Sequence, residues 1–312
     1  MNNFTLVFER VVILFLLMGV GVWCRRTKLL SDIAVKGIVD LLVIVVTPAI
    51  IVDVFARDFD PSMLKGLGIA AILSLAIHLA SILFAKLTIH ERNRDTEPVL
   101  KLAIVFSNSS FMGIPMERAI LGDIGVFYGT VYIVIFNLLI WSYGFSKMRR
   151  GVGSRIRMIR SALLNPGTVG IALGLVVFLM PWKLPEVIKL PVGNLADINT
   201  PLAMIIIGYY LGGAKLGIAL KRFKTIFTMF SRLVIVPLAF VVAVYPLKDF
   251  VDPMVLLALT IAVSAPTAAM VSMFAAKFNR DVDTSVALVS ASTALSIITM
   301  PAIIALALTL FN

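Results

Sequence analysis

The sequence predicts an all-α integral membrane protein of ten transmembrane helices, built as a 5+5 inverted repeat. Three observations carry this expectation. Apolar residues make up 60% of the chain and charged residues 14%, against roughly 25% charged in an average soluble domain, and the mean hydropathy is +1.02. The apolar runs last about 20 residues, the length a helix needs to cross roughly 30 Å of hydrocarbon. Third, two polar interruptions break otherwise apolar stretches at matching places in the two halves: Ser107-Asn108-Ser109-Ser110-Phe111-Met112-Gly113-Ile114-Pro115 and Ser264-Ala265-Pro266-Thr267. A proline inside a membrane helix removes a donor and frees a carbonyl one turn earlier, and hydrocarbon offers no water to either group. Such breaks persist only where they face protein or an aqueous cavity.

The spans are expected at 4–23, 33–54, 67–86, 100–120, 125–145, 162–182, 195–213, 226–247, 253–277 and 283–311. The first reads as an uncleaved span, because Arg25, Arg26 and Lys28 follow its apolar core, whereas a signal peptide carries its charge before it. Trp23 just before Cys24 also argues against a lipoprotein processing site. The second span contains Pro48 and, two turns inside, Asp40 with Lys36 one turn before it. His78 interrupts the third, Pro115 the fourth, and Asn137 lies in the apolar run of the fifth. The sixth opens on Asn165 as helix cap with Pro166 at the first helical position. Pro201 lies in the seventh, which closes on Gly212-Gly213; the eighth is one of the two clearest apolar runs. Pro266 interrupts the ninth, and the tenth carries Ser290, Ser292, Thr293, Ser296 and Thr299 at spacings that suit close helix packing.

Of the 28 Lys and Arg, 19 fall in or beside odd-numbered connections and 6 beside even-numbered ones, so the odd loops are expected in the cytoplasm and both termini outside it. The fifth connection is the most basic, with Lys147, Arg149, Arg150, Arg155, Arg157 and Arg160 around Gly151-Val152-Gly153. It divides the chain into a first repeat at 1–150, a basic linker at 151–161 and a second repeat at 162–312. Thr47-Pro48 recurs as Thr200-Pro201, an offset of 153, and Pro115 recurs as Pro266, an offset of 151. Duplication accounts for both matches, and an odd number of spans per half forces the second copy to be inverted, as in many secondary transporters.

Composition excludes several classes. The net charge of +11 is concentrated in short loops, where topology explains it without a nucleic-acid partner. One cysteine and two histidines cannot build a disulfide framework or a zinc site, and no metal or other cofactor is expected. Metalloprotease, nucleophile-elbow and phosphate-loop motifs are absent, which argues against an enzyme and against ATP-driven pumping. Loops of at most about 20 residues leave no room for the soluble output domain of a sensor, the other non-transport class considered.

The order and spacing of several segments resemble the auxin efflux carrier family, which includes plant PIN auxin exporters and bacterial malate and malonate permeases. The resemblance spans essentially the whole chain. It rests on Asn108 to Pro115 with the Phe-Met-Gly-x-Pro ending, Asn137 and Gly144, Asn165-Pro166, Pro201 with Met204 and Gly208, and Ser264-Ala265-Pro266. It implies a fold of the NhaA and bile-acid-symporter type, in which the fourth and ninth spans unwind and cross at mid-membrane. Spans three to five and eight to ten would form a mobile transport unit, and one, two, six and seven a scaffold and homodimer contact. Transport would be elevator-like.

Crossed, unwound helices bring N-terminal amides together inside the bilayer, and these attract an anion without a buried lysine. The expected substrate is therefore a small organic anion, a mono- or dicarboxylate with an auxin-like acid included, carried across the plasma or inner membrane by a multi-pass protein. Expected contacts are Asn108, Ser109, Ser110, Gly113, Pro115, Asn137, Ser264, Pro266 and Thr267; Asp40 and His78 are candidate coupling groups, with a structural pair to Lys36 near the cytoplasmic interface and a packing role in the third span as their respective alternatives. The serines and threonine have a competing use in satisfying freed backbone groups, and Asn137 in an interhelical hydrogen bond. A sodium-coupled symporter is the alternative, although no carboxylate occurs from Pro253 to Ala276.

Overall fold

The computed structural model describes residues 3–57, 60–149, 166–180, 184–213 and 222–311. The basic linker at 151–161, with Gly151-Val152-Gly153, and the cap Asn165 lie outside them. The helices are α1 (Asn3–Arg26), α2 (Asp32–Phe55), α3 (Pro61–Thr88), α4 (Thr96–Val105), α5 (Ser109–Met148) and α6 (Pro166–Leu179). They continue as α7 (Glu186–Gly212), α8 (Phe223–Leu247), α9 (Pro253–Ser264), α10 (Ala269–Lys277) and α11 (Val282–Phe311). Among the described residues α2, α3, α5, α7, α8 and α11 are long and apolar enough to cross a membrane, and α9 is a shorter apolar helix.

The expected fourth span begins earlier than its apolar run, at Thr96, because Glu97 and Lys101 pair one turn apart at 2.7 Å and extend the helix into polar sequence. It then breaks at Phe106 to Asn108. Inside α5, Gly122 adopts φ 68° and ψ −159°, a conformation open to glycine, and turns the chain between the fourth and fifth expected spans. The expected ninth span is interrupted between α9 and α10. The seventh reaches Gly212 with Gly213 as its C-cap, as the sequence suggests, but starts at Glu186, nine residues before the expected 195.

Three prolines share one solution to the missing donor. Leu42–Val46, Ser109–Gly113 and Ser231–Ile235 each form a widened π turn that ends just before Thr47-Pro48, Ile114-Pro115 and Val236-Pro237. Widening moves the carbonyl that would clash with the ring. In the first case the Thr47 hydroxyl donates to Leu42 O at 2.8 Å.

Helices pack in two groups. α1 lies along α7, and α2 packs on α6 and the first half of α7, while α3, α8 and α11 surround the α5 and α9 pair. The α1–α7 contact is a backbone approach: a Cβ on Gly208 would fall 1.9 Å from Met18 O, and one on Gly21 would fall 2.0 Å from Ile205 O. Small residues at such contacts are how membrane helices come close enough for dispersion and weak hydrogen bonds. Gly208→Val should therefore separate α1 from α7 and cost about 1–3 kcal/mol, as overpacking does. A fall of several degrees in the thermal unfolding midpoint of detergent-purified protein checks this.

Candidate functional site: the junction of the two breaks

The two interruptions meet each other. Ser107 and Thr267 form an antiparallel bridge, flanked by Asn108 N–H donating to Pro266 O at 2.6 Å and Ala268 N–H donating to Phe106 O at 2.9 Å. Pairing one break with the other satisfies backbone groups that hydrocarbon could not. Side chains complete the pairing: Thr267 N–H donates to the Ser292 hydroxyl at 3.1 Å, and the Thr267 hydroxyl donates to Ala103 O at 3.2 Å. The Ser107 hydroxyl donates to the Tyr132 oxygen at 3.0 Å, and the Ser264 hydroxyl to Ile261 O at 3.0 Å.

The carbonyl ends of α4 and α9 converge on one cation that the sequence reading passed over. Arg232, fully buried on α8, donates through Nη1 to Ile104 O at 3.0 Å and Val105 O at 3.4 Å, and through Nη2 to Val263 O. Helix C-termini carry about half a negative charge each, so a single guanidinium answers two of them. Its planar fork reaches two helices at once, which an ammonium could not do as well. The signal was present in sequence as a charge inside an otherwise apolar run, which in a membrane helix marks a functional or structural site by default.

The amide ends of α5 and α10 are treated in the opposite way. Asn108 is the N-cap residue of α5 and Ala268 that of α10, and neither side chain caps the helix. A cavity of about 230 Å³ lies against both ends, with Asn108, Phe111, Ala269 and Ser272 in its wall. α11 contributes Ser290 and Thr293, and α2 and α7 contribute Val39, Ile206, Ile207 and Tyr210. Asn108 is only 7% exposed, and among the described residues its side-chain amide has no hydrogen-bond partner. The Ser272 hydroxyl, also in the wall, is buried without a partner. The lining is otherwise mostly apolar, and none of the lining residues is charged. This arrangement suits a ligand with one anionic group and an apolar body.

Of the expected contacts, Asn108 lines this cavity and the others do not. Ser109 is buried beside it with its hydroxyl unpartnered, while Ser110 is half-buried. Gly113 and Pro115 are buried in the first turns of α5, where a Cβ on Gly113 would come 3.7 Å from Ala262 Cα. Ser264, Pro266 and Thr267 serve the junction itself, as described above. Asn137 is half-buried on α5 and outside the cavity wall. His78 is buried, donating through Nδ1 to Ser74 O at 2.7 Å and packing on Tyr132 with ring centres 4.6 Å apart. Asp40 is exposed on α2, next to the cavity residue Val39.

Glu117 is a second charge the sequence reading missed. It is 1% exposed on α5, with Oε2 unpartnered, and its carboxyl occupies the space that Gly129 leaves: a Cβ there would fall 2.1 Å from Oε2. Among the described residues no group of three or more His, Cys, Asp or Glu could hold a metal ion.

A family model described as "Membrane transport protein" matches residues 6–161 and 152–304. No curated protein matches.

Proposed function

As the chain belongs to the membrane transport protein family, we propose that it is a secondary carrier for a small organic anion, bound where the uncapped ends of α5 and α10 meet the cavity. The observation that carries this reading is the asymmetric treatment of the four helix ends. The two carbonyl ends are neutralised by Arg232, whereas the two amide ends are left without side-chain caps beside a cavity lined by the Asn108 amide, which has no hydrogen-bond partner among the described residues. Partial positive charge concentrated there attracts an anion.

In this reading the chain has ten spans in a 5+5 inverted repeat. The fourth span is α4 with the start of α5, and the ninth is α9 with α10. α3, α4, α5 and α8 to α11 form the transport unit, and α1, α2, α6 and α7 the scaffold, which fits the two packing groups. The cavity wall draws on both, as an elevator-type carrier requires. Glu117 and His78, buried within the proposed transport unit, join Asp40 as proposed proton carriers.

The lining favours a monocarboxylate over a dicarboxylate, since a second carboxylate would meet an apolar wall with no cation. Proteoliposomes should show saturable uptake of an apolar monocarboxylate, with at least about a tenfold preference over a dicarboxylate of similar size, as expected for roughly 1.4 kcal/mol or more of discrimination. Absence of saturable carboxylate flux under a pH, voltage or sodium gradient would count against the carrier reading. A strict sodium requirement would replace proton coupling by the symporter alternative.

A further inference from the structure

The cavity lies towards one end of the bundle. Its wall includes Tyr210 near the end of α7 and Val286 near the start of α11. At the opposite end, Arg118 on α5 reaches across to the other packing group. Its Nη2 lies 3.2 Å from Asp53 Oδ2 on α2, and its Nη1 lies 3.4 Å from Asp197 Oδ1 on α7. Asp123, on α5 itself, accepts from Nε at 3.1 Å. Beside this cluster Arg57, which follows α2, lies over the Phe127 ring of α5 at 4.9 Å. Phe127 packs on Phe55 of α2 and Phe178 of α6, with ring centres 4.6 and 5.3 Å apart.

We propose that Arg118 is the bolt of a gate: bridging α5 to Asp53 and Asp197, it holds shut the end of the molecule opposite the cavity. The inference rests on the division into transport unit and scaffold proposed above. Asp53 and Arg118 are about one-fifth exposed, so their bridge is sheltered from solvent, whereas Asp197 is 78% exposed and adds less. The bond to Asp123 orients the guanidinium without crossing between units. Movement of the transport unit past α2 and α7 must break the two crossing bridges, so they bias the equilibrium towards the conformation seen here. Arg57 over Phe127 adds a second cross-unit contact, but it slides on an apolar face and lacks a fixed register.

The test is a distance measurement across the gate. In a Cys24→Ser background, spin labels at Glu186→Cys on α7 and Asp249→Cys after α8 report on scaffold and transport unit, both sites being exposed. In liposomes, Arg118→Gln should raise the population of a second, displaced distance about fivefold or more, in the range of ordinary conformational coupling. Asp53→Asn should do the same, and Arg118→Lys should fall between. If the unaltered gate already exchanges between two distances and Arg118→Gln leaves their ratio unchanged, the bolt is wrong and the two-unit reading stands. If carboxylate flux is present while every variant, and the unaltered gate, keeps one fixed distance, the two-unit reading fails and the bolt with it.

Discussion

Replacing Arg232 by Met should destabilise the protein more than any other single substitution at the junction. Met matches the length of the stem but leaves Ile104 O, Val105 O and Val263 O without their shared donor. Each unmade bond to a buried carbonyl costs about 1–3 kcal/mol, and two helix C-termini lose their counter-charge. Removing the guanidinium also relieves its own burial, which is expensive, so these losses do not simply add. Breaking a buried ionic arrangement from one side costs about 3–5 kcal/mol. At roughly 2–4 °C per kcal/mol for large chains, the unfolding midpoint should fall by about 10 °C. Arg232→Lys keeps the charge but lacks the planar fork, and should lose less than half as much. Thermal unfolding in detergent, read by intrinsic fluorescence, checks both; a midpoint for Arg232→Met within about 2 °C of the unaltered protein would remove Arg232 from the account.

Asn108→Ala should show the reverse pattern, with transport lost and stability kept. The backbone of Asn108 makes the junction, through its N–H to Pro266 O and its carbonyl to Met112 and Gly113 N–H, and alanine retains all three bonds. The side-chain amide has no hydrogen-bond partner among the described residues and lines the cavity, so its removal orphans no protein group. A hydrogen bond to a charged group contributes about 1.5–3 kcal/mol, so carboxylate affinity should weaken roughly tenfold to a hundredfold. Asn108→Asp places a like charge beside the anion and should weaken uptake further. Concentration-dependent uptake in proteoliposomes, alongside unfolding midpoints, separates the two effects. Equal losses in uptake and in folded yield would reassign Asn108 to a folding role.

These substitutions also mark how far the sequence alone could go. Spans of about 20 apolar residues and prolines at matched offsets made the breaks legible, because the bilayer punishes an unsatisfied backbone so heavily that few patterns survive. Asn108 drew attention for the same reason, since a full amide at that depth needs a use, and the structure places it in the cavity wall. Ser264 and Thr267 were harder, since a hydroxyl beside a break serves backbone or ligand equally well, and here both satisfy backbone. Arg232 and Glu117 escaped because smoothing over an apolar run hides one charge, and because the partners of Arg232 come from distant helices. Carbonyls 128 residues before Arg232 in the chain have no side-chain signature at all. Asn137 and Asp40 show the remaining limit: periodicity places a polar residue on a helix, but which face meets the cavity depends on how helices rotate against one another.

The central claim is that an anion is held at the amide ends of α5 and α10, and an anomalous-scattering carboxylate tests it most directly. In crystals grown with 4-bromobenzoate, the bromine peak should lie inside the cavity against the apolar wall of Ile206, Ile207 and Val289. The carboxylate should turn towards the Asn108 amide and the first-turn N–H groups of α5 and α10. A well-occupied carboxylate bound elsewhere in the protein, or an empty cavity at saturating ligand in a carrier that transports it, would contradict the account.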